Sequence, residues 1–167
     1  NKKVILPESF NEAYKSIAEG GWVGISGDVK YGGLGLPLIV TTCVNELLSS
    51  ACLSLALNPL MTQGQIDALE SHANEDIKNI FLPKLNSGEW SGTMNLTEPQ
   101  AGSDVGALRT LALKDNDGTY KITGQKIYIS WGDHSLSSNI CHLLLARLPN
   151  SPKGTKGISL FLVPKYI

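Results

Sequence analysis

Apolar residues recur every three to four positions through the first half of the chain, a period that predicts helices. A first helix carries Phe10, Tyr14 and Ile17 at such spacings. A second is predicted over Pro37–Asn58, where a thin polar stripe leaves most faces apolar and in need of cover. Two further helical segments, "LMTQGQIDALESHA" and "NEDIKNIFLPKL", are expected to supply that cover. Residues 1–88 therefore predict a small N-terminal helical domain.

From "NSGEW" onward the period changes to two, which predicts strands. Turns are expected at Asn116-Asp117-Gly118 and Thr123-Gly124. The sequence thus predicts an antiparallel β domain over residues 89–167 and an α+β fold for the whole chain. The predicted strands are Ser91–Leu96, Arg109–Lys114, Thr119–Ile122, Gln125–Trp131, Ile140–Leu148 and Ile158–Val163.

The segment "WVGISGDVKYGGLGLP" lies between the first two helices and has two interpretations. Its glycines are typical of a tight loop, or Gly32, Gly33 and Gly35 could form the wall of a ligand pocket. A nucleotide-triphosphate cradle is excluded, because neither a preceding strand nor a Gly-Lys-Ser/Thr ending is present.

Composition and charge narrow the class of partner. Hydrophobic residues make up 42% of the 167 positions, enough for a buried core. The net charge of -1 argues against binding to nucleic acid or an anionic membrane, so the expected partner is a small molecule or another protein. The apolar run from Pro37 to Pro59 is interpreted as a buried helix rather than a membrane span, because Asn45 and Glu46 lie in its middle.

The cysteines and the chain ends bear on the cellular compartment and on the length of the natural protein. Cys43, Cys52 and Cys141 form no C-x-x-C pair and are expected to be reduced, packed in the core and cytoplasmic. The N-terminus lacks the apolar segment of a signal peptide. Because the chain has no initiator methionine and stops after a strand-like run, we expect it to be part of a longer protein.

Two stretches carry candidate chemistry. In "KIYISW", strand alternation would place Lys126, Tyr128 and Ser130 on one face, with the ring and the hydroxyl about 6.8 Å apart. That pair could grip a flat polar ring, or it could simply face solvent.

The second stretch is "NLTEPQAGSDVGALRT", in which Pro99 forces the chain out of the sheet after Thr97. Gly102 and Ser103 would suit a phosphate or pyrophosphate, although an ordinary structural turn explains them equally well.

Other catalytic patterns are missing. The histidines and cysteines have no metal-ligand spacing, and no Gly-x-Ser-x-Gly elbow occurs. His134 is expected to be a surface or capping residue rather than a catalyst.

Three motifs in order resemble the acyl-CoA dehydrogenase family: "MNLTEPQAGSDVGALRT", "ITGQKIYISWG" and "ARL…GTKGISLFLVP". The first half, with "EGGWVGISGDVKYGGLGLP", resembles the family's N-terminal helical domain, so the likeness covers nearly the whole chain. Within the family, the sequence is nearest to the subgroup that includes 3-methylmercaptopropionyl-CoA dehydrogenases.

This resemblance implies that the chain binds FAD. It places Thr97 and the backbone around Leu96 against the pyrimidine edge of the flavin, with Met94 in the same cofactor-binding stretch. Gly102 and Ser103 would lie at the pyrophosphate or at the thioester end of the substrate. Tyr128 would pack on the isoalloxazine ring and Ser130 would hydrogen-bond near N5, where many members carry Trp and Thr.

The implied reaction is α,β-dehydrogenation of an acyl-CoA thioester, in which a carboxylate removes the α-proton while a hydride passes from the β-carbon to flavin N5. In the family the base comes from a C-terminal helical domain, which is absent from these residues. No catalytic residue is therefore assigned, Glu98 and Asp104 are expected only to support the loop, and the chain alone is expected to be inactive. The resemblance also implies an electron-transfer flavoprotein or similar acceptor, and a homo-oligomeric full-length protein.

Three alternatives remain: an acyl-CoA oxidase, a DNA-associated flavoprotein of the same fold, and a non-catalytic interaction module. The charge of -1 disfavours the DNA-associated branch.

Overall fold

The computed structural model describes residues 4–167, so the first three residues of the predicted helical domain lie outside it. Helices fill the first half of the described chain and strands the second, which confirms the α+β class. The helices are α1 (Glu8–Glu19), α2 (Leu38–His72) and α3 (Glu75–Asn86). The strands are β1 (Trp90–Asn95), β2 (Leu111–Lys114), β3 (Tyr120–Thr123), β4 (Asn139–Arg147) and β5 (Ile158–Pro164).

The strands form one sheet in the order β1-β4-β2-β3, with β5 also paired to β4. β2 and β3 are antiparallel, with Leu111 opposite Thr123 and Lys114 opposite Tyr120. β2 and β4 instead run parallel where Leu111 meets Arg147. The prediction of a purely antiparallel domain is wrong at this pair, because an alternating pattern indicates which face is buried but not which way a neighbouring strand runs.

The described chain divides into two compact units. The first comprises the chain up to Thr93, together with Ser130–Cys141 and Pro164–Ile167. The second comprises Met94–Ile129 and His142–Val163.

The core of the first unit forms where α1 packs on the second half of α2. Tyr14, Ile17, Val23 and Leu55 are buried together, and Trp131 packs against them. The Tyr14 hydroxyl donates to the Gly88 carbonyl at 2.9 Å. Burial raises the pKa of Tyr14 to about 12, so this donor keeps its proton.

Helix α2 differs from the prediction in its length and its cover. It continues past Asn58 and through Pro59 to His72, and it is interrupted at Cys52, where φ is -159° and ψ is 93°. Leu55, Ala56 and Pro59 after the break are buried, whereas most side chains before it are exposed. The break thus lies before the proline, where the mostly exposed part of the helix meets its buried part.

The expectation that neighbours cover α2 on most sides is wrong for its first half. Leu38 and Ile39 are exposed there, as are Leu47 and Leu53. Cys43 is also exposed, so it is not a core residue. By length and composition α2 could cross a bilayer, and 11% of its most apolar stretch is buried. One such helix is weak evidence of a membrane span.

The glycine-rich segment between α1 and α2 is a tight loop, and the ligand role considered for Gly32, Gly33 and Gly35 stays a prediction. Its two sides are joined by backbone hydrogen bonds from Leu34 to Gly24 at 2.9 Å and from Gly35 to Gly27 at 3.0 Å. Gly33 lies against Gly27 so closely that a Cβ there would overlap the Gly27 carbonyl. The glycines thus allow two segments of the loop backbone to come into direct contact.

Candidate functional site

The loop that follows β1 is closed by a reciprocal pair of backbone hydrogen bonds. The Glu98 amide donates to the Ala101 carbonyl, and the Ala101 amide donates to the Glu98 carbonyl, both at 3.0 Å. Ala101 is buried, while Pro99 and Gln100 at the corner are exposed. This turn takes the chain out of the sheet after Thr97, as predicted from Pro99.

Glu98 is the centre of the second unit's polar interior. It is only 3% exposed, and its carboxylate accepts five hydrogen bonds. The Thr110 amide donates at 3.0 Å and the Thr110 hydroxyl at 2.5 Å. The Arg109 amide donates at 2.7 Å. The others come from Gln100 Nε2 at 2.7 Å and Lys126 Nζ at 2.9 Å. A buried carboxylate is tolerable only when its lone pairs are satisfied in this way.

Those hydrogen bonds control the protonation of Glu98. Burial on its own would raise the pKa of the carboxyl, but donation from Thr110, Arg109 and Lys126 outweighs it and lowers the pKa to about 2. Glu98 is therefore ionised and a weak base, which supports the expectation that it holds the loop rather than removing a proton.

We expect this carboxylate to make the protein acid-sensitive in a defined window. Because the folded pKa lies below the ordinary value of 4.5, the stabilisation is complete above pH 4.5 and is lost as the pH falls towards 2. The shift corresponds to about 3 kcal/mol. Denaturant unfolding of the wild type and Glu98→Gln at several pH values should show a gap that closes across this window. A gap that stays constant would contradict the assignment.

The segment after β3 is irregular, so the predicted strand Gln125–Trp131 is wrong. Tyr128 and Trp131 have φ of 56° and 57°, in the left-handed region that side chains other than glycine seldom adopt. Such a residue costs on the order of 1–2 kcal/mol and persists only where its surroundings impose it. A strand ladder cannot form through this conformation, although the run of alternating residues suggested one.

The same-face relation inferred for this segment is therefore also wrong. Lys126 is directed inward, with a side chain 8% exposed against Glu98, while Tyr128 is 90% exposed. Gly124 explains how the segment comes so close, since a Cβ at this position would overlap the Thr110 hydroxyl. Within the stretch "ITGQKIYISWG", Gly124 thus allows the close backbone approach and Lys126 supplies the buried cation.

Thr97 and Tyr128 are nevertheless brought together. The Ile127 amide donates to the Thr97 carbonyl at 3.0 Å, which places the residue before Tyr128 directly beside the strand exit. Met94, Leu96 and Thr97 are half-buried at this edge. The second unit therefore presents an exposed aromatic ring next to a strand exit.

Gly102 and Ser103 are exposed on the far side of the Glu98 turn. A Cβ at Gly102 would meet nothing within 4 Å. Within residues 4–167, neither the Gly102 amide nor the Ser103 amide donates to another protein group. These two donors are open to a ligand oxygen, as an anion site without lysine requires.

Ser130 is exposed and belongs to the first unit. The other six predicted cofactor-binding residues all belong to the second unit: Met94, Leu96, Thr97, Gly102, Ser103 and Tyr128.

The first unit contains a serine–histidine pair that no sequence motif indicates. His134 is buried, and its Nε2 lies 2.9 Å from Ser91 Oγ. The Leu136 amide donates to Nδ1 at 3.1 Å, and Asn58 Nδ2 lies 3.3 Å from Nε2. The ring is thus fixed by contacts within the unit, with its Nδ1 capping the turn at Leu136. The surface alternative for His134 is wrong and the capping alternative is correct.

No group of three or more His, Cys, Asp and Glu side chains in the described part of the chain comes together as a metal site.

Comparison with known proteins gives a consistent result. Residues 3–89 match the model of the acyl-CoA dehydrogenase N-terminal domain, and residues 93–166 match that of the acyl-CoA dehydrogenase middle domain. A 3-methylmercaptopropionyl-CoA dehydrogenase of Ruegeria pomeroyi is 48% identical over 167 residues, all of this chain but 28% of the relative.

Solved structures give the same result. The butyryl-CoA dehydrogenase of Megasphaera elsdenii is 28% identical with a TM-score of 0.82, over 93% of this chain and 40% of that one. An acyl-CoA dehydrogenase from Bacillus anthracis complexed with FAD is 26% identical with a TM-score of 0.81, over 94% of this chain and 26% of that one.

Proposed function

The chain belongs to the acyl-CoA dehydrogenase family, and on this premise we propose that it carries the flavin-binding portion of an FAD-dependent acyl-CoA dehydrogenase. The reaction would be α,β-dehydrogenation of an acyl-CoA thioester. The observation that carries the proposal is the hydrogen bond from Ile127 to Thr97, which sets the exposed Tyr128 beside the strand exit. The chain spans about a quarter of the length of the Ruegeria pomeroyi relative, so the activity of the whole protein is part of the proposal.

The residues present fit FAD in two respects. A flat ring system needs an aromatic surface, and Tyr128 is 90% exposed on backbone held in a strained conformation. A pyrophosphate needs donors, and the open amides of Gly102 and Ser103 provide them. When bound, FAD would supply the hydride acceptor that amino-acid side chains lack.

The proposed roles follow the resemblance residue by residue. Tyr128 packs on the isoalloxazine ring, and the backbone around Leu96 with Thr97 binds its pyrimidine edge. Met94 lies in the same cofactor-binding stretch. Gly102 and Ser103 bind the pyrophosphate or the thioester end of the substrate, and Ser130 donates near N5. Aligning both reactants in one geometry is the chain's contribution to the rate.

The proton-abstracting base is proposed to lie outside these 167 residues. Glu98 is unsuited to the task, since five hydrogen bonds hold it as a buried carboxylate. We therefore propose that this chain alone does not turn over acyl-CoA. A helical domain over residues 1–88 and a middle β domain over residues 89–167 are proposed as its two parts.

The proposed partners are an acyl-CoA substrate, an electron-transfer flavoprotein or similar acceptor, and further copies of the full-length protein. The proposed compartment is the cytoplasm, and neither nucleic acid nor a membrane is a proposed partner.

The test begins with the full-length product of the gene, which should purify with bound flavin and convert an acyl-CoA to the 2-enoyl-CoA. Tyr128→Ala should weaken FAD binding roughly tenfold through loss of ring stacking. Tyr166→Ala is the control, because that tyrosine is also exposed but is not among the residues assigned to FAD. Absence of flavin would favour the interaction module and refute the proposal. Release of hydrogen peroxide during turnover would identify an oxidase.

A further inference from the structure

Lys126 ties the loop after β1 to the segment carrying Tyr128 through a buried charge. We propose that the Lys126–Glu98 ion pair is a positioning element, which holds Thr97 and Tyr128 in the arrangement that receives the flavin. The proposal rests on the proposed function. It assigns Lys126 an indirect role, since its ammonium group is directed into the protein and away from the exposed site.

The contacts of Lys126 bracket Thr97. Its Nζ donates to the Leu96 carbonyl at 3.0 Å and to Glu98 Oε1 at 2.9 Å, one residue before and one residue after Thr97. The next residue along, Ile127, donates its amide to the Thr97 carbonyl at 3.0 Å. Three consecutive loop residues are thus bonded to two consecutive residues of the other segment.

This arrangement accounts for the strained backbone of Tyr128. The two residues before it are fixed, Lys126 by its buried side chain and Ile127 by its amide. A left-handed φ of 56° at Tyr128 is held only while those anchors persist. Without them, the ring would sample other directions and a bound ligand would have to order it, which weakens binding.

Because the pair is buried, water cannot solvate the charge that remains when one partner is removed. Glu98 is 3% exposed and the Lys126 side chain 8%, so removal of the cation leaves an uncompensated carboxylate inside the unit. The same unit offers a more exposed pair for comparison, Lys121 and Asp115, whose side chains are 78% and 30% exposed.

The experiment compares Lys126→Met with Lys121→Met in the full-length protein. Two quantities are measured: the FAD dissociation constant by flavin fluorescence, and hydrogen exchange at the Ile127 amide in the FAD-free protein. Lys126→Met should raise the dissociation constant by about tenfold or more and speed exchange at Ile127, while Lys121→Met changes neither. Unaltered FAD affinity and Ile127 protection in a folded Lys126→Met protein would overturn the proposal.

A second variant covers a failure to fold. The double change Glu98→Gln with Lys126→Met leaves no charge buried, so it should fold, yet it lacks the ammonium link and should still bind FAD weakly. Wild-type affinity in the double variant would overturn the proposal.

The two hypotheses can fail separately. If the wild type binds no FAD, the proposed function is wrong and the role of Lys126 towards FAD falls with it, whatever the exchange data show. If the wild type binds FAD and the lysine variants bind it equally well, only the positioning role is wrong.

Discussion

Replacing Glu98 with alanine is expected to lower the free energy of unfolding by about 3–5 kcal/mol. The change leaves the Lys126 ammonium group buried without its anion, and it removes the acceptor for the amides of Arg109 and Thr110. Each orphaned group then carries its desolvation cost without a compensating bond. Denaturant titration followed by circular dichroism measures the loss.

The control for this change is Asp115→Ala, which removes the half-buried anion of a pair whose lysine, Lys121, is largely exposed. Since exposed ion pairs contribute little, the unfolding free energy of this variant should stay near that of the wild type. If Glu98→Ala proved as mild as Asp115→Ala, the carboxylate would not be the organising group described above.

The second large effect is expected from Gly33→Ala. The new methyl group would overlap the backbone carbonyl of Gly27, and a backbone group cannot swing aside as a long side chain can. The hydrogen bonds from Gly35 to Gly27 and from Leu34 to Gly24 would be pulled apart as the loop opens. We expect a loss of about 3 kcal/mol in unfolding free energy, measured by thermal and denaturant unfolding.

Gly64→Ala is the matched control, with the opposite sign. Gly64 lies within α2, is exposed, and has open space where the methyl group would go. Alanine should therefore stabilise the helix by about 0.5–1 kcal/mol. Destabilisation by both substitutions to the same extent would mean that the loop contact is not the cause.

Most elements could be predicted because their signals are local. The period of Phe10, Tyr14 and Ile17 predicts α1, and the Asn-Asp-Gly turn predicts the hairpin of β2 and β3. The direction of β4 beside β2 and the break of α2 at Cys52 could not be predicted, since both depend on contacts between distant parts of the chain.

In the site, too, local features could be predicted from the sequence and contacts between distant residues could not. The exit from the sheet at Pro99 follows from the chemistry of proline, and the structure confirms that the chain turns there. The alternation of "KIYISW" predicts Lys126 on one face with Tyr128, whereas Lys126 is directed inward to Glu98, which lies 28 positions earlier in the sequence. The role of Thr110 was missed for the same reason. A lysine among β-branched and aromatic neighbours, with an acid in a nearby motif, is a signal that could have been used.

The bare leucine and isoleucine side chains along the first half of α2 have a practical consequence for solutions of this chain. Water in contact with them is released when two such surfaces meet, at about 25 cal/mol per Å² of apolar area. Sulfate and phosphate ions strengthen that tendency by being excluded from the surface. Salting-out should therefore begin at modest ammonium sulfate concentrations, and Leu38, Ile39, Leu47 and Leu53 are the side chains through which precipitation would start.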